Sequence, residues 1–209
     1  MKKGRMIVVD GSNGAGKTTV IEAIRDHLQH VNRETVFTRE PGGTPIGEKI
    51  REILLSPEAG EMADVTELML FAAARAQHVR EKIMPAVEAG KVVVSDRFDS
   101  ATVSFQHYAR GLPLELITTL NEIAVDGLKP DMTIILDLDP EAGLVRVGSR
   151  GDDLDRLEKE KLDFLHKARD GYLGQAKASP DNFVVIDASQ SLDNVISEVL
   201  SVVDQVIEA

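Results

Sequence analysis

Gly11-Ser12-Asn13-Gly14-Ala15-Gly16-Lys17-Thr18-Thr19 follows the apolar run Met6-Ile7-Val8-Val9 and leads into a segment of helical periodicity. Its spacing, G-x-x-x-x-G-K-[ST], is that of a phosphate-binding loop between a strand and a helix. Glycines let backbone N–H groups turn inward on an anion, the following helix adds its positive end, and Lys17 supplies a mobile cation. Thr18 is placed to hold Mg²⁺. The stretch from Gly11 to Thr19 therefore predicts a bound nucleoside triphosphate.

Outward from this loop, β-rich runs at residues 6–10, 35–39, 92–96, 132–138 and 183–187 alternate with helix-periodic segments. Several runs are apolar throughout, as strands covered on both faces must be. The alternation predicts a three-layer α/β fold of the P-loop type: five parallel strands, helices on both faces and ligands beyond the carboxyl ends of the strands. Those ends carry Gly11, Arg39-Glu40 and Asp96-Arg97. A single domain over residues 1–209 is expected from the chain length.

The composition excludes several classes. With 35 acidic and 24 basic residues the net charge is −11, which opposes nonspecific attraction to nucleic acid or to an anionic membrane. No cysteine is present, so neither disulfides nor thiolate metal sites arise. The basic start Met1-Lys2-Lys3-Gly4-Arg5 precedes an apolar run too short for a signal peptide, and no run reaches membrane-spanning length. Cytoplasm is the expected location.

Residues 64–90 read as one long helix, with Asp64 as cap and Gly90 as stop. Phe71 and Arg75 share a face of it, where the arginine serves either a structural ion pair or a pocket for a flat polar ring. Residues 140–150 also read as helix, with Arg146 and Arg150 on one face, and run into the polar stretch Gly151-Asp152-Asp153-Leu154-Asp155-Arg156. The final helix, 192–208, has a simple packing pattern.

A phosphate loop alone does not separate a kinase from a switch or a motor. Arg39 opens the Gly-rich loop Glu40-Pro41-Gly42-Gly43-Thr44, and Arg97 follows Asp96 at another strand end. Two guanidiniums beside a triphosphate suit a second anionic substrate held for transfer, a need that hydrolysis by water does not have. No N-K-x-D guanine-reading motif occurs, and Asp96 does not begin a D-x-x-G switch. The residues predict a small phosphoryl-transfer enzyme acting on a phosphorylated small molecule.

In order and combination, the loop from Gly11 to Thr19, Phe37-Thr38-Arg39-Glu40-Pro41-Gly42-Gly43-Thr44, Phe71-Ala72-Ala73-Ala74-Arg75, Asp96-Arg97-Phe98 and Leu154-Asp155-Arg156-Leu157-Glu158 resemble a thymidylate kinase of the P-loop nucleoside monophosphate kinase group. The resemblance implies Mg²⁺-dependent transfer of the ATP γ-phosphoryl group to dTMP, in a homodimer. It implies that Phe71 stacks on thymine, that Arg75 bonds an exocyclic oxygen of the base, and that Arg39 and Arg97 grip the monophosphate. Thr102 and Gln106 fall at base contacts, Phe105 beside the sugar, and Asp96 at Mg²⁺ or its waters. Lys17, Arg97 and a further arginine would neutralise the moving phosphoryl group. Because Gly14 stands where one branch carries that arginine, the chain resembles the branch that supplies it from a lid, here about 146–156, with Arg150 first and Arg146 second.

The chain departs from this pattern at Asn13, where the family usually has an acid, at Asp10 for the usual Glu, and at Gly148 where related lids often carry arginine. Ala101 and Phe105 replace residues that are often Ser and Tyr. The alternatives are a kinase of another pyrimidine or deoxynucleoside monophosphate and a non-catalytic ATP-binding regulatory module.

Overall fold

The computed structural model describes residues 4–148 and 155–209. Strands β1 (Arg5–Gly11), β2 (Thr35–Arg39), β3 (Val92–Asp96), β4 (Met132–Asp137) and β5 (Phe183–Asp187) form one parallel sheet in the order β2-β3-β1-β4-β5. The helices among the described residues are α1 (Lys17–His30), α2 (Pro45–Leu55), α3 (Asp64–His78), α4 (Met84–Glu88), α5 (Asp99–Thr102), α6 (Leu114–Val125), α7 (Pro140–Gly148), α8 (Leu162–Ala178) and α9 (Leu192–Glu208).

Alternation along each strand divides the core. Ile7, Val9, Val92, Val94, Ile134 and Leu136 pack against Val20, Ile24 and Leu28 of α1 and against the stripe Val195, Val199, Val203 of α9. Met6, Val8 and Val93 point the other way, onto Val79, Ile83 and Phe98, while Ile135 meets Phe164, Leu165 and Tyr172 of α8. Both faces of β1, β3 and β4 are covered, which is why these strands read as largely apolar runs, while the outer strands β2 and β5 are only partly buried.

The chain leaves β1 towards β2 and β3 towards β4, in opposite directions across the sheet. A crevice opens where such connections diverge, beyond the carboxyl ends of β1 and β3. The register pairs Val9 with Asp96 and Arg39 with Asp96, so the polar strand ends share one edge.

The expected single helix over 64–90 is interrupted. A π-helical turn, Val79–Ile83, joins α3 to α4, and Pro85 sits in the first turn of α4. Proline has no N–H and its ring crowds the carbonyl four residues back, so the widened turn before it absorbs the misfit. Asp64 is the first helical residue rather than the cap; the N-cap is Ala63, which has no side-chain acceptor, and Asp64 places its charge in the first turn. Gly90 does stop the segment, at φ 81.

A second π-helical stretch, Val103–Ala109, follows α5 and carries Phe105 and Gln106. Helix α8 approaches it at Gly171, where a Cβ would lie 2.8 Å from the Ser104 Cα and 3.0 Å from the Tyr108 ring. The backbone of residue 104 cannot yield cheaply, so Gly171→Ala is expected to destabilise the protein by about 1–3 kcal/mol. Urea unfolding checks it through a lowered midpoint at unchanged slope.

Candidate active site

The crevice is a cleft of about 240 Å³. Its floor is the phosphate loop, whose last residue before α1, Gly16, takes φ 90 as N-cap. Lys17 Nζ lies across the loop, donating to the carbonyls of Ser12 at 3.0 Å and Gly11 at 3.3 Å. Asn13, Gly14, Gly16, Lys17 and Thr18 line the cleft, with Gly11, Ser12, Ala15 and Thr19 completing the loop.

Every expected acceptor-side residue lines the same cleft: Arg39, Phe71, Arg75, Arg97, Thr102, Phe105 and Gln106. Arg75 makes the structural ion pair that is one of its two expected roles, at a position lining the cleft. Its guanidinium is 2% exposed and donates Nε to Glu40 at 2.8 Å, one terminal nitrogen to the Asn121 amide oxygen at 2.7 Å and the other to the Phe98 carbonyl at 3.0 Å. Three of the five N–H groups are thus committed to the protein, and Arg75 is among the residues lining the cleft. Glu40 in turn meets His78 Nδ1 at 3.0 Å, and His78 Nε2 meets the Thr38 hydroxyl at 2.6 Å.

Arg97 is a strained residue held by several partners. Its φ is 68, a left-handed conformation that costs a non-glycine residue free energy and clusters at functional sites. One terminal nitrogen donates to Asp10 at 2.8 Å, to the Tyr172 hydroxyl at 2.8 Å and to the Gly11 carbonyl at 3.1 Å; the other donates to the Asn13 amide oxygen at 2.7 Å. Burial works against the Arg97 charge, but the Asp10 and Asp96 carboxylates outweigh it and keep the guanidinium protonated. Burial, and then the Asp10 carboxylate, push the Tyr172 phenol well above its ordinary value. It therefore bridges as a neutral O–H donor to Asp10, at 2.6 Å. The Phe105 ring lies 5.3 Å from the Arg97 guanidinium and stacks edge-on against Tyr172.

Arg39 is more exposed and pairs with Glu48 at 2.9 Å. Arg51 also lines the cleft, donating to the Pro41 carbonyl at 2.9 Å, and burial depresses its pKa. Sequence reasoning missed Arg51, although Gly47, Arg51 and Leu54 repeat at helical spacing and place it on the inward face of α2. It also missed Tyr172, which lies 162 residues from Asp10 and leaves no local signal. Asp155 and Glu158 line the cleft as well.

Asp96 and Thr102 each keep one buried oxygen, Oδ1 and Oγ1, without a partner among the described residues. An orphaned carboxylate oxygen beside a phosphate loop suits a cation that takes its other ligands from phosphate and water. No group of three or more acidic or histidine side chains that could hold a metal ion exists among the described residues. Asp96 and Thr18, which both line the cleft, offer oxygens that would suit Mg²⁺, an ion that keeps waters and substrate oxygens in its shell. Arg146 donates to the carbonyls of Ala188 at 3.3 Å and Gly14 at 3.5 Å, against the phosphate loop. Arg150 lies outside the described residues.

Comparison with known proteins agrees with this geometry. The model of the thymidylate kinase family matches residues 9–199. A curated thymidylate kinase of Hahella chejuensis is 47% identical over 195 residues, covering 93% of each chain. The crystal structure of thymidylate kinase from Ehrlichia chaffeensis superposes with a TM-score of 0.77 at 31% identity, covering 96% of this chain and 98% of that one. Cleft, phosphate loop and relatives point the same way: the chain belongs to the thymidylate kinase family.

Proposed function

We propose a division of labour by which this chain transfers the γ-phosphoryl group of ATP to dTMP, giving ADP and dTDP. The observation that carries it is the cleft itself, where Lys17 and Thr18 face Arg39, Arg97, Phe71 and Arg75 across one space. The phosphate loop and the N-terminus of α1 bind the ATP phosphates. Arg97, with Arg39 and Arg51 beside it, grips the acceptor phosphate and holds its oxygen in line with the γ-phosphorus. Phe71 stacks on the base, Arg75 donates to an exocyclic oxygen of it, and Phe105 crowds the sugar.

The acceptor is already an anionic oxygen, so no strong general base is needed and rate comes from placement and charge. Mg²⁺, when bound, neutralises charge shared between the β- and γ-phosphates; Thr18 and Asp96 are the residues that would hold it. Arg150 supplies the remaining guanidinium to the moving phosphoryl group, with Arg146 fixing the base of that segment against the loop. ADP formation from ATP across a panel of monophosphates tests this reading. dTMP is expected to give the fastest turnover, dCMP to be poor because it presents an amino donor to Arg75, and absence of acceptor-dependent ADP would overturn it.

The protein works as a homodimer in this proposal. Ile46 and Ile53 on α2 and Val65 and Met69 on α3 are exposed, and α2 packs on α3 away from the sheet. Such neighbouring apolar stripes suit a second copy of the chain. No helix among the described residues is long and apolar enough to cross a membrane. A cytoplasmic location suits an enzyme that consumes ATP.

Two outcomes follow from these roles. Arg150→Ala should lower kcat about a hundredfold or more while the dTMP KM changes by less than about threefold, measured by steady-state kinetics. Ile53→Glu combined with Met69→Glu should shift the protein from dimer to monomer in sedimentation velocity.

A further inference from the structure

Glu67 lies in the first turn of α3, on the same stripe as Phe71 and Arg75, and is 1% exposed. Its carboxylate is shared by three side chains. Oε1 accepts from Gln106 Nε2 at 2.9 Å and from Arg110 Nε at 3.2 Å, while Oε2 accepts from Arg110 at 3.2 Å and from a terminal nitrogen of Arg156. Burial pushes the Glu67 carboxyl up, but the bonds from Arg110, Gln106 and Arg156 outweigh it and leave the group below its ordinary value. An ionised carboxylate accepts and never donates.

That one-way chemistry acts on Gln106, a buried residue that borders the cleft beside Phe71 and Arg75. A primary amide reads a ligand in either of two flips, offering a donor or an acceptor. We propose that Glu67 is a positioning residue for base recognition: by taking the Gln106 N–H it forces the amide to present its oxygen to the cleft. Arg75 and Gln106 then form a fixed donor–acceptor pair. It matches a pyrimidine with a carbonyl next to a ring N–H, and opposes one with an amino group next to an unprotonated ring nitrogen. A free glutamine could flip and accept both. Discrimination thus resides in a carboxylate that itself faces away from the base. The inference rests on the acceptor-side reading of the cleft given above.

The test compares kcat/KM for dTMP and for dCMP in the wild-type protein, in Glu67→Gln and in the exchanged pair Glu67→Gln with Gln106→Glu. In Glu67→Gln the neighbour of residue 106 no longer dictates the flip, and the dTMP-to-dCMP ratio should fall at least about tenfold. In the exchanged pair the amide at 67 donates and residue 106 can only accept, so the ratio should recover. A purely structural brace would lower the melting temperature of both variants and leave the ratio where it was. An unchanged ratio in Glu67→Gln, or no recovery in the pair, overturns the proposal. If the wild-type protein does not prefer dTMP, the acceptor-side reading fails first, and the two failures stay distinct. Should Glu67→Gln not fold, hydrogen exchange of the Gln106 side-chain amide in the wild-type protein decides the matter. Protected protons support the proposal, and protons exchanging as fast as those of a solvent-facing glutamine overturn it.

Discussion

The Asp10 carboxylate, 0% exposed at the end of the central strand β1, holds the catalytic edge together. Its Oδ1 receives the Gly11 N–H at 2.9 Å, Arg97 at 2.8 Å and the Tyr172 hydroxyl at 2.6 Å; its Oδ2 receives the Ser100 hydroxyl at 2.8 Å. One side chain therefore joins the phosphate loop to the end of β3, to α5 and to α8. A charge so deeply buried is tolerable because both oxygens accept hydrogen bonds, four in all, and losing one partner of such a pair costs about 3–5 kcal/mol. The same arrangement holds Arg97 in its strained conformation with its guanidinium over the cleft. The packing of this edge and the placing of Arg97 at the cleft thus rest on one ion pair.

The neutral residue at position 13 belongs to this network. Asn13 accepts from Arg97 through its amide oxygen at 2.7 Å, as a carboxylate there would, but without adding a second negative charge. Asp10 is then the one carboxylate hydrogen-bonded to Arg97 among the described residues. Less of the guanidinium charge is neutralised by the protein than with a second carboxylate at position 13. The shorter Asp10 and the uncharged Asn13 are two parts of one arrangement around Arg97.

Much of this was legible in the sequence because the signals are local. Five β-rich runs, several of them apolar throughout, mark the strands, and spacing marks the phosphate loop and puts Phe71 and Arg75 on one face. Fixed chain order carried Arg39, Asp96 and Arg97 to one sheet edge. Apart from Arg51, whose signal on α2 was local, what escaped depends on partners far apart in the chain. Tyr172 meets Asp10 only because α8 packs across the π-helical stretch, and Glu67 meets Arg156 only after the chain returns from β4. The break in the 64–90 helix was readable in principle from Pro85, but the apolar periodicity continues through it and masks the change of winding.

Gly14 shows how backbone contact dictates where charge must come from. With φ 77, a Cβ at this position would lie 2.4 Å from the Gly143 carbonyl oxygen, and a Cβ on Gly143 would lie 2.3 Å from the Asn13 carbonyl oxygen. The loop and the start of α7 are pressed together backbone to backbone, leaving no room for any side chain, arginine included. Any cation beyond Lys17 at this cleft therefore cannot come from position 14. Arg146, three residues beyond Gly143, donates back to the Gly14 carbonyl and secures the same contact. The glycine pair that excludes an arginine from the loop also docks α7 against it.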